Sequence, residues 1–258
     1  MMDTWHTLRA FTQARIAQGS AGCSQRTASL LDFQIAHAEA RDAVLKEWDS
    51  QAFLHMAQER YGAALMLATQ ASSRDIYLQR PDLGRKLSPE SLARLVSATD
   101  HHGHDVALAV SNGLSTTAVE RHALPLLDVL IEYLKFCALT TSPVLIIPDG
   151  RVALSDEIGK ALKAKVSLIL IGERPGLSAA DSLGAYITLS PAAGNTDAER
   201  NCISNIRQPD GLSYATAAGK IGYLIRKGLK YSIRGVALKD DSPESPDMLA
   251  ATIKALGR

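Results

Sequence analysis

The chain lacks what would attach it to a bilayer, a nucleic acid or an oxidising compartment. No apolar run approaches the ~18 residues needed to cross a membrane. Its 28 Lys and Arg balance 27 Asp and Glu at a formal charge of +1. A clustered basic surface for nucleic acid or acidic lipid is therefore not expected. Aromatic residues make up only 5% of the chain, too few for the platforms on which single strands stack. The three cysteines, Cys23, Cys137 and Cys202, are odd in number and widely spaced. They fit neither a disulfide framework nor a zinc spacing, so a reducing, cytoplasmic setting is expected. Residues 1–6 contain no basic stretch followed by an apolar one, and no secretory signal is expected. Neither a G-x-G-x-x-G after a strand, a Walker loop nor a G-x-S-x-G elbow occurs, which leaves a dinucleotide or triphosphate cradle unsupported.

What is present is enough apolar material for one large domain: 258 residues, 46% of them hydrophobic. Residues 3–17 read as a short amphipathic helix. After a glycine break, residues 27–48 read as a longer one, with Leu30, Leu31, Ile35, Ala38 and Val44 on one face. Another helix is expected at 51–61, and the apolar run 63–69 reads as a strand or as the end of that helix. Residues 72–87 read as a loop. Ser88-Pro-Glu90 then starts a helix, with an N-cap Ser, a Pro at the first position and an acid to complement the dipole. From there apolar strands at 106–110, 144–147, 166–171 and 184–189 alternate with helices at 117–136 and 156–163 and one from Gly211-Leu-Ser213 to about Tyr231. Strands that are apolar throughout, alternating with helices, argue a parallel sheet covered on both faces. The expected fold class is α/β: a Rossmann-like parallel sheet flanked by helices, with an N-terminal helical segment. The expected divisions are 1–62 for that segment, 63–238 for the sheet domain, and 239–258 for an acidic, turn-rich tail with a weak final helix.

Three loops leave the carboxyl ends of these strands on one edge, where open α/β sheets hold ligands. Residues 111–116, 149–152 and 172–176 offer Asn112, Ser115, Thr116, Asp149, Arg151, Glu173 and Arg174. This set of donors and acceptors suits a large ligand bearing amides and hydroxyls, and it lacks the lone base or nucleophile of a hydrolase. The blander alternative is that Glu173 and Arg174 pair with each other or cap their neighbours. Cys202 reads as a packing residue rather than a reactive thiol. The cluster Asp100-His-His-Gly-His-Asp105 invites a metal, but consecutive His in a polar turn are by default solvated, and no metal site is assigned.

Gly172-Glu-Arg-Pro-Gly-Leu177, Asp181-Ser-Leu183 and Asp197-Ala-Glu-Arg-Asn-Cys-Ile-Ser-Asn-Ile206 resemble the small (light) subunit of ethanolamine ammonia-lyase. Arg80-Pro-Asp-Leu-Gly-Arg85, Asn112-Gly-Leu-Ser-Thr116, Gly150-Arg-Val152 and Asp156-Glu-Ile-Gly159 extend the likeness in the same order. The resemblance implies a Rossmann-like domain covering one side of adenosylcobalamin, while a TIM-barrel large subunit closes the other side and binds ethanolamine. The cofactor's cobalt–carbon bond then opens homolytically, and the substrate leaves as acetaldehyde and ammonia. The family's cobalamin contacts carry over to Val152 (apolar or backbone contact), Glu173 (hydrogen bonds) and Cys202 (close packing). Arg174, Pro175, Gly176, Ser204 and Asn205 are their neighbours, and no catalytic residue is assigned. The D-x-H-x-x-G signature of His-ligated cobalamin proteins is met by Asp100 and His102 only; Asp105 stands where Gly should be, so the cofactor is expected to keep its own lower ligand. Asn112 stands where the resemblance leads one to expect Asp. The N-terminal extension that targets many members to a bacterial microcompartment has no counterpart, so a free cytoplasmic complex is expected beside the microcompartment alternative. A free-standing α/β enzyme with a nucleotide-like ligand and a purely structural partner subunit remain the competing readings.

Overall fold

The computed structural model describes residues 7–97 and 103–243. A small hairpin, β1 (Ser20–Ala21) and β2 (Ser24–Gln25), leads into α1 (Thr27–Leu45) and α2 (Ser50–Tyr61). Next come β3 (Ala64–Met66), α3 (Arg74–Gln79), α4 (Pro89–Ser97), β4 (Val106–Ser111), α5 (Thr116–Phe136) and β5 (Val144–Ile146). They are followed by α6 (Leu154–Ala161), β6 (Val166–Gly172), β7 (Leu183–Leu189), β8 (Arg200–Ile206) and α7 (Tyr214–Tyr231). Six strands form one sheet in the order β3-β5-β4-β6-β7-β8.

Strands β3, β5, β4 and β6 are parallel, and every residue of β4, β5 and β6 is buried. Side chains alternate between faces along each strand, which gives two apolar layers. Leu108, Val110, Ile146, Leu168 and Leu170 join α2, α5 and α7 on one face. Ala107, Ala109, Leu145 and Ile169 join Leu95 of α4 and Ile158 of α6 on the other. Each fully buried Leu, Ile or Val contributes about 1.5–3 kcal/mol relative to an exposed one. That scale explains why α5 persists through Pro125. An interior Pro costs about 3 kcal/mol, and this helix buries Leu124, Leu126, Leu127, Leu130 and Leu134.

The α/β class with flanking helices is as expected, but the sheet is not parallel throughout. β7 runs antiparallel to β6, and β8 antiparallel to β7. Only residues 173–182 join β6 to β7, and only 190–199 join β7 to β8. A parallel crossover needs a dozen or more residues and usually a helix, so short links impose reversal. β8 itself lies in what reads as a polar block. It is an edge strand, and most of its side chains are exposed or half-buried, so no apolar run marks it.

Three further expectations change. Of residues 3–17 the described part is helical at Thr7 and Leu8 and then tightens into a 3-10 turn at Arg9–Phe11, so the helix does not run on to residue 17. Phe11 is 82% exposed there, and a short helix with no surface to pack on is marginal in water. In α1 the side facing the domain is marked by Ala36 and Ala43, while Leu30, Leu31 and Ile35 lie exposed. Small side chains let the helix seat closely and leave its larger apolar residues outward. The stretch 72–87 holds α3, capped by Ser73 Oγ accepting from Ile76 N, and a 3-10 turn at Leu83–Arg85. Asp240 and Asp241 of the tail pair with Lys220 and Lys227 of α7 at 2.8 and 2.6 Å. The rest of the tail from 244, and Asp100, His101 and His102 of the histidine cluster, lie outside the described residues. Among the described residues no helix is long and apolar enough to cross a membrane, and no group of three His, Cys, Asp or Glu side chains is placed to hold a metal ion.

Candidate functional site

The carboxyl ends of β3, β4, β5, β6 and β8 and the amino end of β7 share one edge of the sheet. Part of this edge is closed upon itself. Arg74, from the start of α3, donates from Nη1 to Asp149 Oδ1 and to Gly113 O, both at 2.7 Å. Its Nε and Nη2 reach Val44 O at 3.0 and 2.8 Å. Asp149 N donates to Asn112 Oδ1 at 2.8 Å, and Asn112 Nδ2 faces Thr116 Oγ1 at 3.3 Å and Asp149 Oδ1 at 3.4 Å. Thr116 Oγ1 donates to Lys46 O at 2.8 Å, and Ser115 Oγ to Ala180 O at 2.7 Å. Asn112, Ser115, Thr116 and Asp149 therefore hold the scaffold together rather than face a ligand. Asn112 suits its place because its amide donates to Asp149; an Asp there would set a second carboxylate against the first.

The turn after β6 is fixed from the backbone outward. A Cβ on Gly172 would lie 2.1 Å from Ser115 O and 2.4 Å from Asn112 O, so only glycine lets these backbones meet. Glu173 follows. Its N–H donates to Ser182 O at 2.9 Å. Its carboxylate accepts from Ser182 Oγ, from Ser204 Oγ at 2.5 Å and from Asn205 N at 3.2 Å. The last two donors come from a bulge. Leu183 pairs with Ile206 and Ala185 with Ile203, so β8 carries one extra residue between those pairs. Asn205 takes the left-handed conformation there, with φ 58°, and bulges of this kind re-aim side chains at sheet edges. Three donors fill three of the roughly four acceptor positions of a carboxylate, leaving one open. Arg174 is exposed and forms no ion pair with Glu173. Pro175 is half-buried, and Gly176 closes a tight turn with Ala179 through bonds of 2.9 and 3.2 Å.

Beside this turn opens a cleft of about 300 Å³, which brings Val152, Ala153, Tyr186 and Cys202 to one wall region. Pro81, Arg85, Arg151, Asp197 and Arg200 complete it. Glu173 does not line the cleft but stands next to it: a Cβ on Gly184 would lie 2.8 Å from Glu173 Oε1 and 3.1 Å from the Tyr186 ring. Burial pushes the Cys202 thiol up to about 11, with the Glu173 charge adding to the rise and a hydrogen bond from Tyr186 opposing it. Cys202 as a residue is exposed while its sulfur is desolvated against Tyr186, so the thiol stays protonated at neutral pH and acts as a packing group. Burial likewise raises Tyr186, so it too stays neutral. Arg200 is buried and paired with Asp156, and it reaches Asp197 at 2.8 Å. Arg151 stacks on the Tyr77 ring at 4.3 Å, and its Nε is buried without an acceptor. A neutral thiol, an apolar Val, one open carboxylate position and an orphaned guanidinium N–H suit a large ligand that is apolar in its body and polar at its rim. A larger cavity of about 600 Å³ lies between α4 and α6; it shares Arg85 and Ala153 with the cleft and contains neither Val152, Glu173 nor Cys202.

Sequence reasoning missed Arg74 and Tyr186. Arg74 sits in a segment read as a loop, and Tyr186 lies within a strand read only as apolar.

The architecture is that of an open α/β sheet domain with a ligand-sized cleft at its carboxyl edge. Residues 2–239 match the family profile described as ethanolamine ammonia-lyase light chain. The chain is 51% identical over 242 residues to the ethanolamine ammonia-lyase small subunit of Azotobacter vinelandii, covering 93% of this chain and 89% of that one. It is 49% identical to that of Xanthomonas campestris pv. campestris, with the same coverage, and 50% identical to that of Pseudomonas syringae pv. tomato, covering 93% and 84%. The chain belongs to the ethanolamine ammonia-lyase light-chain family.

Proposed function

We propose that this chain is the small, cofactor-covering subunit of an adenosylcobalamin-dependent ethanolamine ammonia-lyase, which converts ethanolamine to acetaldehyde and ammonia. A TIM-barrel large subunit closes over it and holds the substrate. The observation that carries this reading is the meeting of Val152 and Cys202 on one cleft, with Glu173 beside it, in a chain of this family. Val152 gives an apolar surface to the corrin, Cys202 packs against it as a neutral thiol, and Glu173 offers its open acceptor position to an amide N–H. Arg174, Pro175, Gly176 and Asn205 frame that contact. When bound, adenosylcobalamin supplies the radical chemistry; this chain binds it, orients it and excludes water. The domain limits 1–62, 63–238 and 239–258 belong to the same proposal, with residues 63–238 holding the cofactor. So does its location, the cytoplasm or a microcompartment within it.

The test is reconstitution with the large subunit and adenosylcobalamin. Ethanolamine turnover and tight cobalamin retention should need both chains. Glu173→Ala should weaken retention by about tenfold, since a hydrogen bond to a charged group is worth about 1.5–3 kcal/mol, with an unchanged circular dichroism spectrum. Turnover by this chain alone, or full retention by the variant, would overturn the reading.

A further inference from the structure

Two of the best-defined motifs beside the cleft, Arg80-Pro-Asp-Leu-Gly-Arg85 and Gly150-Arg-Val152, carry arginines that have no part in the contacts above. The fold brings them together. Arg151 N donates to Gly84 O at 2.8 Å, and a Cβ on Gly84 would lie 2.9 Å from both Asp149 O and the Tyr77 ring. Each motif places one arginine on the cleft, Arg85 and Arg151. The third cleft arginine, Arg200, is balanced by Asp156 and Asp197. Among the described residues Arg85 and Arg151 have no carboxylate partner.

Arg151 is the more constrained of the two. Its guanidinium carbon sits over the ring of Tyr77, 4.3 Å from the centroid, and that ring is fully buried. Tyr77 Oη donates to Gly150 O at 3.2 Å, and burial raises that phenol to about 12, so it offers no counter-charge. The ring contact uses none of the guanidinium's N–H donors, and Nε has no acceptor; these donors form a planar fork that matches phosphate or carboxylate. A buried N–H without an acceptor is costly to leave unmade, and an incoming oxyanion removes that deficit.

We infer that Arg151 and Arg85 form a phosphate-ester subsite of the cleft, which takes the phosphodiester in the nucleotide tail of the bound cofactor. This rests on the cofactor reading above. The same donors would also take free phosphate, so the test separates the two sources.

The reconstituted two-chain complex is titrated with adenosylcobalamin and with adenosylcobinamide, which lacks the phosphodiester and the base. Arg151→Gln should lower adenosylcobalamin affinity by about 10- to 100-fold, the scale of a lost charge-assisted pair, and leave adenosylcobinamide affinity unchanged. Arg85→Gln, at an exposed site with no bond to lose, should show the same selective loss in smaller degree, which guards against a folding defect at Arg151. Equal loss for both corrinoids, or no loss for either, overturns the subsite. Inorganic phosphate is titrated in parallel into the full chain alone, followed by phosphorus NMR. If the parent complex binds no corrinoid at all, the cofactor reading falls and the phosphate titration decides. Saturable phosphate binding abolished by Arg151→Gln then supports a subsite for free phosphate, and absence of binding removes the subsite as well.

Discussion

At the loop after β4, Arg74, Asp149 and Asn112 answer one another until nothing is left for a ligand. In the cleft bordered by β8, Asp197 is taken by Arg200, and Arg85 and Arg151 stand beside Tyr186 and Cys202 with no carboxylate partner among the described residues. The residue types are similar and the sheet edge is the same, yet their use is opposite. The difference lies in position. The β4 loop is walled by β6, whose Gly172 meets its backbone, and by α3, so every polar group there is desolvated and must find a protein partner. β8 is the last strand of the sheet; the 235–238 turn holds Asn201, while Cys202, Ser204 and Asn205 keep an exposed side that can meet another molecule. Hydrogen-bonding side chains on a strand-end loop therefore mark a ligand site only where the sheet leaves the loop uncovered.

The largest effect should come from breaking the closed side. Asp149→Ala leaves the Arg74 guanidinium, 8% exposed, without its carboxylate. Removing one partner of a buried pair costs about 3–5 kcal/mol, to be measured by urea unfolding. A loss below about 1 kcal/mol would mean that the loop is held by Gly172 packing and backbone bonds instead.

The open side makes a chemical prediction. With its thiol at about 11, Cys202 carries about 100-fold less thiolate near pH 8 than a thiol of pKa ~9. Because a thiolate of higher pKa is also the better nucleophile, its alkylation should lag that of a free cysteine peptide added as internal standard by about tenfold when followed by peptide mass spectrometry. The sign also fixes the pH profile. Raising pH deprotonates the thiol only near its own pKa, so the Cys202 rate should keep climbing beyond about pH 9, where an ordinary cysteine levels off. Rapid alkylation at neutral pH would make Cys202 a reactive thiol and undo its role as a packing group.

The alternation that gives this fold was legible because β4, β5 and β6 are buried on both faces and read as unbroken apolar runs. The antiparallel end was hidden for the same reason. β8 is half solvated, so its run Arg200-Asn-Cys-Ile-Ser-Asn-Ile206 carries no such signal, and strand direction there follows from link length rather than residue type. Val152, Glu173 and Cys202 were nameable from family likeness within local motifs. Their grouping depends on the β8 bulge and on Tyr186, which only tertiary pairing creates. Leu30, Leu31 and Ile35 share an apolar face yet lie exposed, because periodicity records that a helix has an apolar stripe, not which neighbour covers it.

The smallest effect sharpens the boundary between the two regions. Ser204 donates to Glu173 from the exposed side of the bulge, so water can replace its hydroxyl when Ser204→Ala is made. Stability should fall by no more than about 1 kcal/mol. Cofactor retention in the two-chain complex should drop by about threefold, well short of the Glu173→Ala loss, because the carboxylate keeps its bonds to Ser182 and Asn205 and loses only part of its aim. A Ser204→Ala loss equal to that of Glu173→Ala would move the contact itself onto the bulge, and Glu173 would then be the residue that holds Ser204 in place rather than the reverse.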